Sequence, residues 1–541
     1  MKRLLLTISV CLSFTVNAQI IIDGKKAFYD SKENVSLAMI PKSAFGTNYK
    51  AKIELEEGWY DLTINGTTVT DSYTFENIKG GTSYPITVIN SEKQTINSNI
   101  TFTFLPILQL NGDFGYEYQQ GAFSLVDADN NFHGLNAKIK WRGGTTNTID
   151  KHKRNYKIKL DDDYRFFSLR NDNKWILDAG QADLFRVRNR IATELWNDMA
   201  HKPYYANKVS DIYTGVRGQM VEVFLNNEYR GIYCFTECMD RKELQLKKFD
   251  KKSGEIHGGL WKSEDYGTAL MWDCPETYDN RSETWSVFEV KYPELDDVEE
   301  SDYSTLWNAI QFVAYSTDDE FRENVASYFD IPVVIDYYIY LLALSAFDNM
   351  GKNMYWAVYD KSEDKKLTLA VWDLDGTVGA KWMPEWASPE YEMDISLNLF
   401  CRLLALNVDN FNDKTLTRYK ELREGVLSTE SLKKRYTNYY NDMSLSGADK
   451  REEKLWSKDS DIKGKELNFE SEHKYIIEWI DRHMVYLDEF LYSGGNTQIN
   501  SITLPVRYNH SIYNLNGQKM DRHYLKNKGV YIKDGKKYII K

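Results

Sequence analysis

Cysteine is scarce in this sequence, and so are long apolar runs and any excess of positive charge. The chain of 541 residues has 5 cysteines, including Cys11 near the N-terminus, which is too few for a disulfide-stapled scaffold of this size. The formal net charge of -12 argues against general binding to nucleic acids or anionic membranes. Beyond the N-terminal segment, no run is long and apolar enough to span a bilayer. We therefore expect a soluble or surface-attached protein with no nucleic-acid partner and no transmembrane segment.

The N-terminal segment has the layout of a cleaved signal peptide. Lys2 and Arg3 precede an apolar run, which ends at the cleavage-type triplet Val16-Asn17-Ala18. We predict a signal peptide over residues 1–18. A secreted or cell-surface location follows from this prediction.

The length of the chain predicts two or three domains. Residues 19–105 alternate short strand-like runs with turn dipeptides such as Asn65-Gly66 and Gly80-Gly81, which is typical of a small immunoglobulin-like β-sandwich. A spacer or an interaction module is its expected role, and its aromatic residues leave carbohydrate binding open. Residues 106–495 combine strand-like and helix-like runs, so we predict an α+β protein.

Metal-binding residue types are concentrated in residues 348–379. Asp348 is followed five residues later by Asn353, and Asp373 and Asp375 form an Asp-x-Asp after an apolar run. Two strand-like runs separated by a polar turn predict a hairpin, which places its outer ends side by side. Three carboxylates and an amide would then converge, and such ligands suit Mg²⁺ or Mn²⁺.

The spacing from Asp348 to Asn353 is that of a protein-kinase catalytic loop. In such a loop the Asp accepts the proton of the substrate hydroxyl and the Asn holds a metal. A mostly apolar helix is predicted over residues 331–347, immediately before this pair. A buried helix that leads into the catalytic loop is also a feature of kinases.

A competing interpretation rests on Asp373–Thr377. An Asp-x-Asp-Gly-Thr after a strand is also the first motif of haloacid dehalogenase-type phosphatases, in which the first Asp is the nucleophile and the second the general acid/base. That motif normally opens a series of βα units, whereas residues 394–491 are predicted to be almost entirely helical. The phosphatase remains an alternative.

A basic segment over residues 138–159 stands out in this acidic chain. Arg142 begins a glycine-containing turn, and Lys157 and Lys159 lie on one face of the strand that follows. A glycine loop followed by a strand lysine is how kinases hold phosphates. A solvated basic hairpin is the plainer interpretation.

Several of these segments together resemble the CotH kinase family of atypical kinases. They are DNMGKN with NMYWAVYD, VWDLDGTVG, RGGTT followed by KRNYKIKL, and VEVFLNNEYRGIY leading to Glu237. Gly144 and Thr145 stand where the family commonly has Asn and Ser. The likeness covers roughly residues 105–495 and implies an atypical kinase-like core, with a reduced, β-rich N-lobe and a helical C-lobe.

The resemblance implies a role for each candidate residue. Asp348 would be the catalytic base, and Asn353, Asp373 and Asp375 would hold the metal. The candidates for binding ATP are Arg142, Lys157, Lys159, Arg188, Glu237 and Trp372. Trp372 is favoured because adenine needs an apolar partner. Arg188 and Asn189 would either orient phosphates or cap and bridge elements of the fold.

These expectations favour a secreted kinase that transfers the γ-phosphoryl group of ATP to Ser or Thr of a surface or secreted protein. A non-catalytic kinase-like module that binds glycans or partner proteins is the main alternative, and another transfer reaction is also open. Residues 496–541 resemble the short all-β C-terminal sorting modules of type IX (Por) secretion.

Overall fold

The computed structural model describes residues 20–144, 147–381, 385–391, 393 and 395–494, together with short strands between residues 512 and 540. The predicted signal peptide lies outside the described residues. Sheets dominate the N-terminal part of the chain and helices dominate the C-terminal part, so the predicted α+β class is confirmed.

The N-terminal unit consists of two packed β-sheets. Its strands are β1 (Ile20–Ile22), β2 (Lys25–Lys26), β3 (Phe28–Asp30), β4 (Val35–Met39), β5 (Tyr49–Leu55), β6 (Trp59–Ile64), β7 (Thr67–Thr68), β8 (Ser72–Phe75), β9 (Ser83–Asn90) and β10 (Thr95–Thr103). One sheet has the order β2-β1-β5-β8 and the other the order β3-β4-β10-β9-β6-β7. Ile53 and Phe75 of one sheet share a buried core with Leu62 and Phe102 of the other, which is how a sandwich is stabilised.

A closed β-barrel follows. Its strands are β11 (Ile107–Asn111), β12 (Gln119–Val126), β13 (Asn131–Arg142), β14 (Asn155–Arg165), β15 (Asn171–Asp178), β16 (Gly218–Leu225) and β17 (Glu228–Thr236). They close in the order β11-β12-β13-β14-β15-β17-β16, with β11 and β16 parallel. Ile139, Ile158, Trp175 and Phe235 fill the interior. Helix α1 (Arg188–Met199) lies in the connection between β15 and β16.

A second, antiparallel sheet lies beside the barrel. Its strands are β18 (Gly259–Ser263), β19 (Thr284–Trp285), β20 (Phe288–Tyr292), β21 (Met354–Val358) and β22 (Thr368–Val371), in the order β19-β20-β18-β21-β22. Strands β21 and β22 form the hairpin that the sequence predicts. Strand β22 is therefore at the edge of this sheet.

Helices form most of the remaining core. They are α2 (Ser304–Tyr315), α3 (Asp318–Tyr328), α4 (Ile331–Leu344), α5 (Asn398–Leu406), α6 (Phe411–Arg423), α7 (Thr429–Ser446), α8 (Ala448–Trp456) and α9 (Phe469–Asp488). Helix α4 is apolar on every side and buried along almost its whole length, because other elements surround it. None of the helices in the described ranges has both the length and the apolar character needed to cross a membrane.

Short strands also occur at the C-terminus. They are β23 (Ile512–Asn514), β24 (Lys519–Met520), β25 (Gly529–Lys533) and β26 (Lys536–Ile540), in the order β24-β23-β25-β26. The predicted sorting module falls here, and most of the linker before it lies outside the described residues.

Candidate active site

A cleft of about 550 Å³ separates the barrel from the second sheet and the helical part. Its volume is in the range of small-molecule sites. Arg142 and Asp178, the last residues of β13 and β15, line the barrel side, and Trp372 lines the opposite side, just after β22. The other charged residues of the lining include Asp183, Asp348, Asp373, Asp375, Glu264, Asp461, Lys262, Lys352, Lys381 and Lys463.

Helix α4 delivers the chain to this cleft. The helix ends at Leu344, and Ser345 after it adopts the left-handed conformation with φ 47°. A 3-10 turn over residues 347–349 follows and contains Asp348. The buried Tyr337 hydroxyl of α4 donates a hydrogen bond to the carbonyl of Asn349, so the turn is attached to the helical core.

The hairpin brings the two candidate metal-binding segments together. Met354 pairs with Val371, which places Asn353 next to Trp372. The buried Asn349 side chain joins both ends, because its Nδ2 donates to the carbonyl of Trp372 at 2.7 Å and to that of Asn353 at 3.3 Å. The convergence that the sequence predicts therefore depends on Asn349, a residue that the sequence analysis did not single out.

Two candidate metal ligands have an unusual backbone conformation. Asn353 has φ 53° and Asp373 has φ 57°, both in the left-handed region. Asn and Asp adopt this region more readily than other non-glycine residues, and such conformations are concentrated at functional sites.

The Asp348 carboxylate is held by three neighbours. Its Oδ1 accepts hydrogen bonds from the Tyr266 hydroxyl at 2.9 Å and from the Lys352 ammonium group at 3.1 Å. Its Oδ2 accepts from Nδ2 of Asn353 at 2.9 Å. The Asn353 amide thus orients the Asp348 carboxylate through its nitrogen.

Carboxylates crowd the base of the cleft and repel one another. Burial, and then the charges of Asp373, Asp178 and Asp183, raise the pKa of Asp375 well above its usual range. Desolvation by the surrounding side chains and the charge of Asp178 also raise the pKa of Asp373, although the positive charges of Lys262 and Arg142 oppose this. Mutual repulsion of this kind is relieved when a cation binds between the carboxylates.

Asn189 and Asp178, which also line the cleft, support the Asp-x-Asp loop. Nδ2 of Asn189 donates to Oδ2 of Asp178 at 2.7 Å, and Oδ1 of Asn189 accepts from the backbone N–H of Leu374 at 3.1 Å. Leu374 lies between Asp373 and Asp375. Asn189 of α1 therefore fixes the loop that carries both carboxylates.

Positive charge and an aromatic face are adjacent at the mouth of the cleft. The Arg142 guanidinium lies over the Trp372 ring, 5.3 Å from its centroid. Lys262 of β18 forms an ion pair with Glu264 at 2.8 Å, and both line the cleft. Arg142 and Lys262 are donors of the kind that bind the phosphates of a nucleotide, and the Trp372 ring is a stacking surface of the kind that binds its base.

The donor set fits a hard divalent cation. The carboxylates of Asp373 and Asp375 and the Oδ1 of Asn353 are oxygen ligands of the kind that Mg²⁺ and Mn²⁺ prefer, and substrate oxygens and water normally complete such a shell. A separate group of metal-binding residue types within the described residues consists of His152, Asp459 and Asp461, whose ligating atoms lie within 4.8 Å of one another. In that group Asp461 already forms an ion pair with Lys151 at 3.0 Å.

A family model described as CotH kinase protein matches residues 139–487. The chain belongs to the CotH kinase family. This confirms the resemblance seen in the sequence, and the match ends before the predicted sorting module. A comparison with curated proteins found no match.

The CotH-type cleft includes some of the predicted site residues. Asp348, Asn353, Asp373, Asp375, Arg142 and Trp372 all line it. Their roles stay predictions, but the structure brings them together although they come from segments far apart in the sequence.

The other predicted residues lie outside the cleft lining. Glu237 is buried and accepts hydrogen bonds from the backbone N–H of Arg170 at 2.7 Å and from the Arg217 guanidinium at 2.8 Å. Lys157 and Lys159 belong to the outer face of β14. This geometry gives no support to their predicted contacts with ATP.

Arg188 is also outside the lining of the cleft. It is fully buried and pairs with Asp183 and Glu472, each at 2.6 Å. Since Glu472 belongs to α9, Arg188 connects α1 to the helical part of the fold. Of the two roles left open for Arg188, the geometry favours bridging over phosphate orientation.

Proposed function

We propose that this protein is an exported kinase that transfers the γ-phosphoryl group of ATP to a Ser or Thr hydroxyl of a secreted or surface protein. Membership of the CotH kinase family supports a kinase-like protein with a protein substrate and a divalent metal. Export rests on the predicted signal peptide, and surface retention rests on the predicted sorting module.

The observation that carries the proposal is the convergence at the cleft. Asp348 and Asn353 from one end of the hairpin meet Asp373 and Asp375 from the other, in a cavity large enough for a nucleotide. Repulsion among these carboxylates supports binding of a divalent cation. Asn353, Asp373 and Asp375 would hold this cation, which would neutralise negative charge on the transferring phosphoryl group.

Asp348 is the proposed base. The hydroxyl oxygen of the acceptor forms a bond to the γ-phosphorus, the bond from this phosphorus to the oxygen of ADP breaks, and the hydroxyl proton passes to the Asp348 carboxylate. Tyr266, Lys352 and Asn353 hold that carboxylate in place. Arg142 and Trp372 would hold the nucleotide, and Lys262, which also lines the cleft, would add a positive charge that the sequence did not point to.

Phosphoryl transfer from γ-labelled ATP to acceptor proteins tests this proposal. We expect Asp348→Asn to lower the transfer rate by about 10²- to 10⁴-fold, since general-base catalysis contributes on that scale. ATP binding should persist in this variant. Asp413→Asn is the control, because Asp413 is an exposed aspartate of α6 outside the cleft lining. Equal transfer by the wild type and Asp348→Asn would refute the assigned role.

The geometry does not favour the phosphatase alternative. Asp373–Thr377 follows β22, which is the edge strand of an antiparallel sheet, whereas the phosphatase motif opens a series of βα units. A non-catalytic module with the same cleft is distinguished from the kinase by the transfer assay.

A further inference from the structure

Five lysines share the outer face of three neighbouring barrel strands. Their neighbours Ala137, Ile139, Ile158, Leu160 and Trp175 are buried in the barrel interior. Since successive side chains of a strand point to opposite faces, the lysines between them point outwards. We call this set the basic track, and it consists of Lys138 and Lys140 of β13, Lys157 and Lys159 of β14, and Lys174 of β15.

The lysines of the basic track are direct cross-strand neighbours. Lys159 pairs with Lys138 on one side and with Lys174 on the other, and Lys140 pairs with Lys157. Like charges in such positions destabilise a sheet. Within the described part of the chain, none of the five forms an ion pair, and the ammonium group of Lys140 lies over the Tyr118 ring instead. A stable sheet gains nothing from this arrangement, so an anionic partner is its best explanation.

The basic track is continuous with the cleft. Along β13 the same face carries Lys138, Lys140 and then Arg142, which lines the cleft. Along β14 it carries Lys159, Lys157 and then Asn155, which also lines the cleft. Lys138 lies four residues from Arg142, and Lys159 lies four residues from Asn155. Four strand residues span about 13 Å, so these two lysines are about four extended residues from the cleft.

Acidic residues limit the track. Beyond Lys159, the exposed Asp161 and Asp163 follow on β14. Burial and the charges of Lys174 and Lys291 lower the pKa of Lys157, while the charge of Glu294 acts in the opposite direction. The positive surface is therefore short, and it suits a few carboxylates of an extended segment better than a long polyanion.

The geometry points to the basic track as the docking surface for an acidic segment of the acceptor polypeptide, with its Asp or Glu residues about four residues or more from the acceptor hydroxyl. This inference rests on the proposed kinase function, because it places the acceptor in the same cleft. It also gives Lys157 and Lys159 a different partner from the ATP phosphates that the sequence analysis assigned to them.

Peptide binding measured by fluorescence anisotropy tests this inference. The probes are a labelled peptide with a central Ser and a run of Glu on one side, and the same peptide with Gln in place of Glu. The variant is the triple change Lys138→Gln, Lys140→Gln, Lys174→Gln. The control is Lys248→Gln, Lys251→Gln, Lys252→Gln, which removes the same charge from exposed lysines outside the track and the cleft lining. ATP affinity is measured for every protein.

We expect the track variant to bind the Glu peptide about tenfold more weakly, since several exposed ion pairs of modest strength are lost. Its affinity for ATP and for the Gln peptide should not change, and the control should behave like the wild type. Equal binding of both peptides by the wild type would overturn the inference. So would a track variant that loses affinity for ATP but not for the Glu peptide.

Failure of the kinase proposal gives a different pattern. If no phosphoryl transfer is detected but the Glu peptide still binds through the track, the docking surface stands and the proposed function falls. If transfer to the Glu peptide is equal in the wild type and the track variant, the kinase stands and the docking surface falls.

Discussion

Replacing Asn189 with Ala should weaken metal-dependent nucleotide binding, although Asn189 is not one of the proposed metal ligands. The change removes the 2.7 Å hydrogen bond to the Asp178 carboxylate and the 3.1 Å bond from the Leu374 N–H. A bond to a charged group contributes about 1.5–3 kcal/mol and a neutral one about 0.5–1.5 kcal/mol. Part of this lost free energy lowers the stability of the folded state. We expect the rest to lower the affinity for Mn²⁺·ATP by about 10- to 100-fold, as is typical of residues that support metal ligands.

Asn197→Ala is a matched control for this prediction. Asn197 lies on the same helix and also makes two hydrogen bonds, donating to the Gly215 carbonyl at 2.7 Å and accepting from the Gly215 N–H at 3.0 Å. It does not touch the Asp-x-Asp loop. Isothermal titration compares both variants with the wild type, and unfolding midpoints record their stability. Equal Mn²⁺·ATP affinity in the two variants would refute the role assigned to Asn189.

Other predictions concern the buried ion pairs. Arg188→Met should destabilise the fold by about 3–5 kcal/mol, because two carboxylates lose their buried partner, and ATP affinity in the folded fraction should stay near the wild-type value. Glu452→Gln should cost a similar amount, since the buried Glu452 accepts from Lys153 at 2.9 Å and from Arg186 at 2.7 Å. Urea unfolding measures both, and a loss below about 1 kcal/mol would contradict the reasoning. Burial lowers the pKa of Lys153 from 10.5 to about 7. Between pH 7 and pH 10.5 the unfolded chain therefore binds more protons at Lys153 than the folded protein does. The free energy of unfolding should then rise with pH in this range, and it should rise less in Lys153→Met.

The hairpin of the site could be predicted because its signals are local. Aromatic and apolar strands flank a polar turn, and the Asp and Asn residues stand where the strands begin and end. A hairpin then determines which ends meet, so the approach of Asp348 and Asn353 to Asp373 and Asp375 followed from pattern alone. The long apolar helix before them was recognisable for the same reason, although it ends at Leu344, before the predicted Phe347.

Contacts between distant segments could not be predicted in this way. Closure of the barrel depends on the parallel pairing of β11 with β16, for which the sequence carries no local signal. In the closed barrel, Lys157 and Lys159 lie on the outer face of β14, and Arg142 at the end of β13 lines the cleft. Asn349 and Asn189 act through backbone groups that are brought near them only by folding, and a single amide in a sequence does not reveal such a role.

Isothermal titration of ATP into the purified protein, with Mg²⁺ or Mn²⁺ present and absent, tests most directly whether the cleft binds ATP through a metal held by the converging carboxylates. We predict binding that requires the metal and is lost in the double variant Asp373→Ala, Asp375→Ala, while the double variant retains the unfolding cooperativity of the wild type. Absence of ATP binding with either metal, or equal binding by the double variant, would contradict the account.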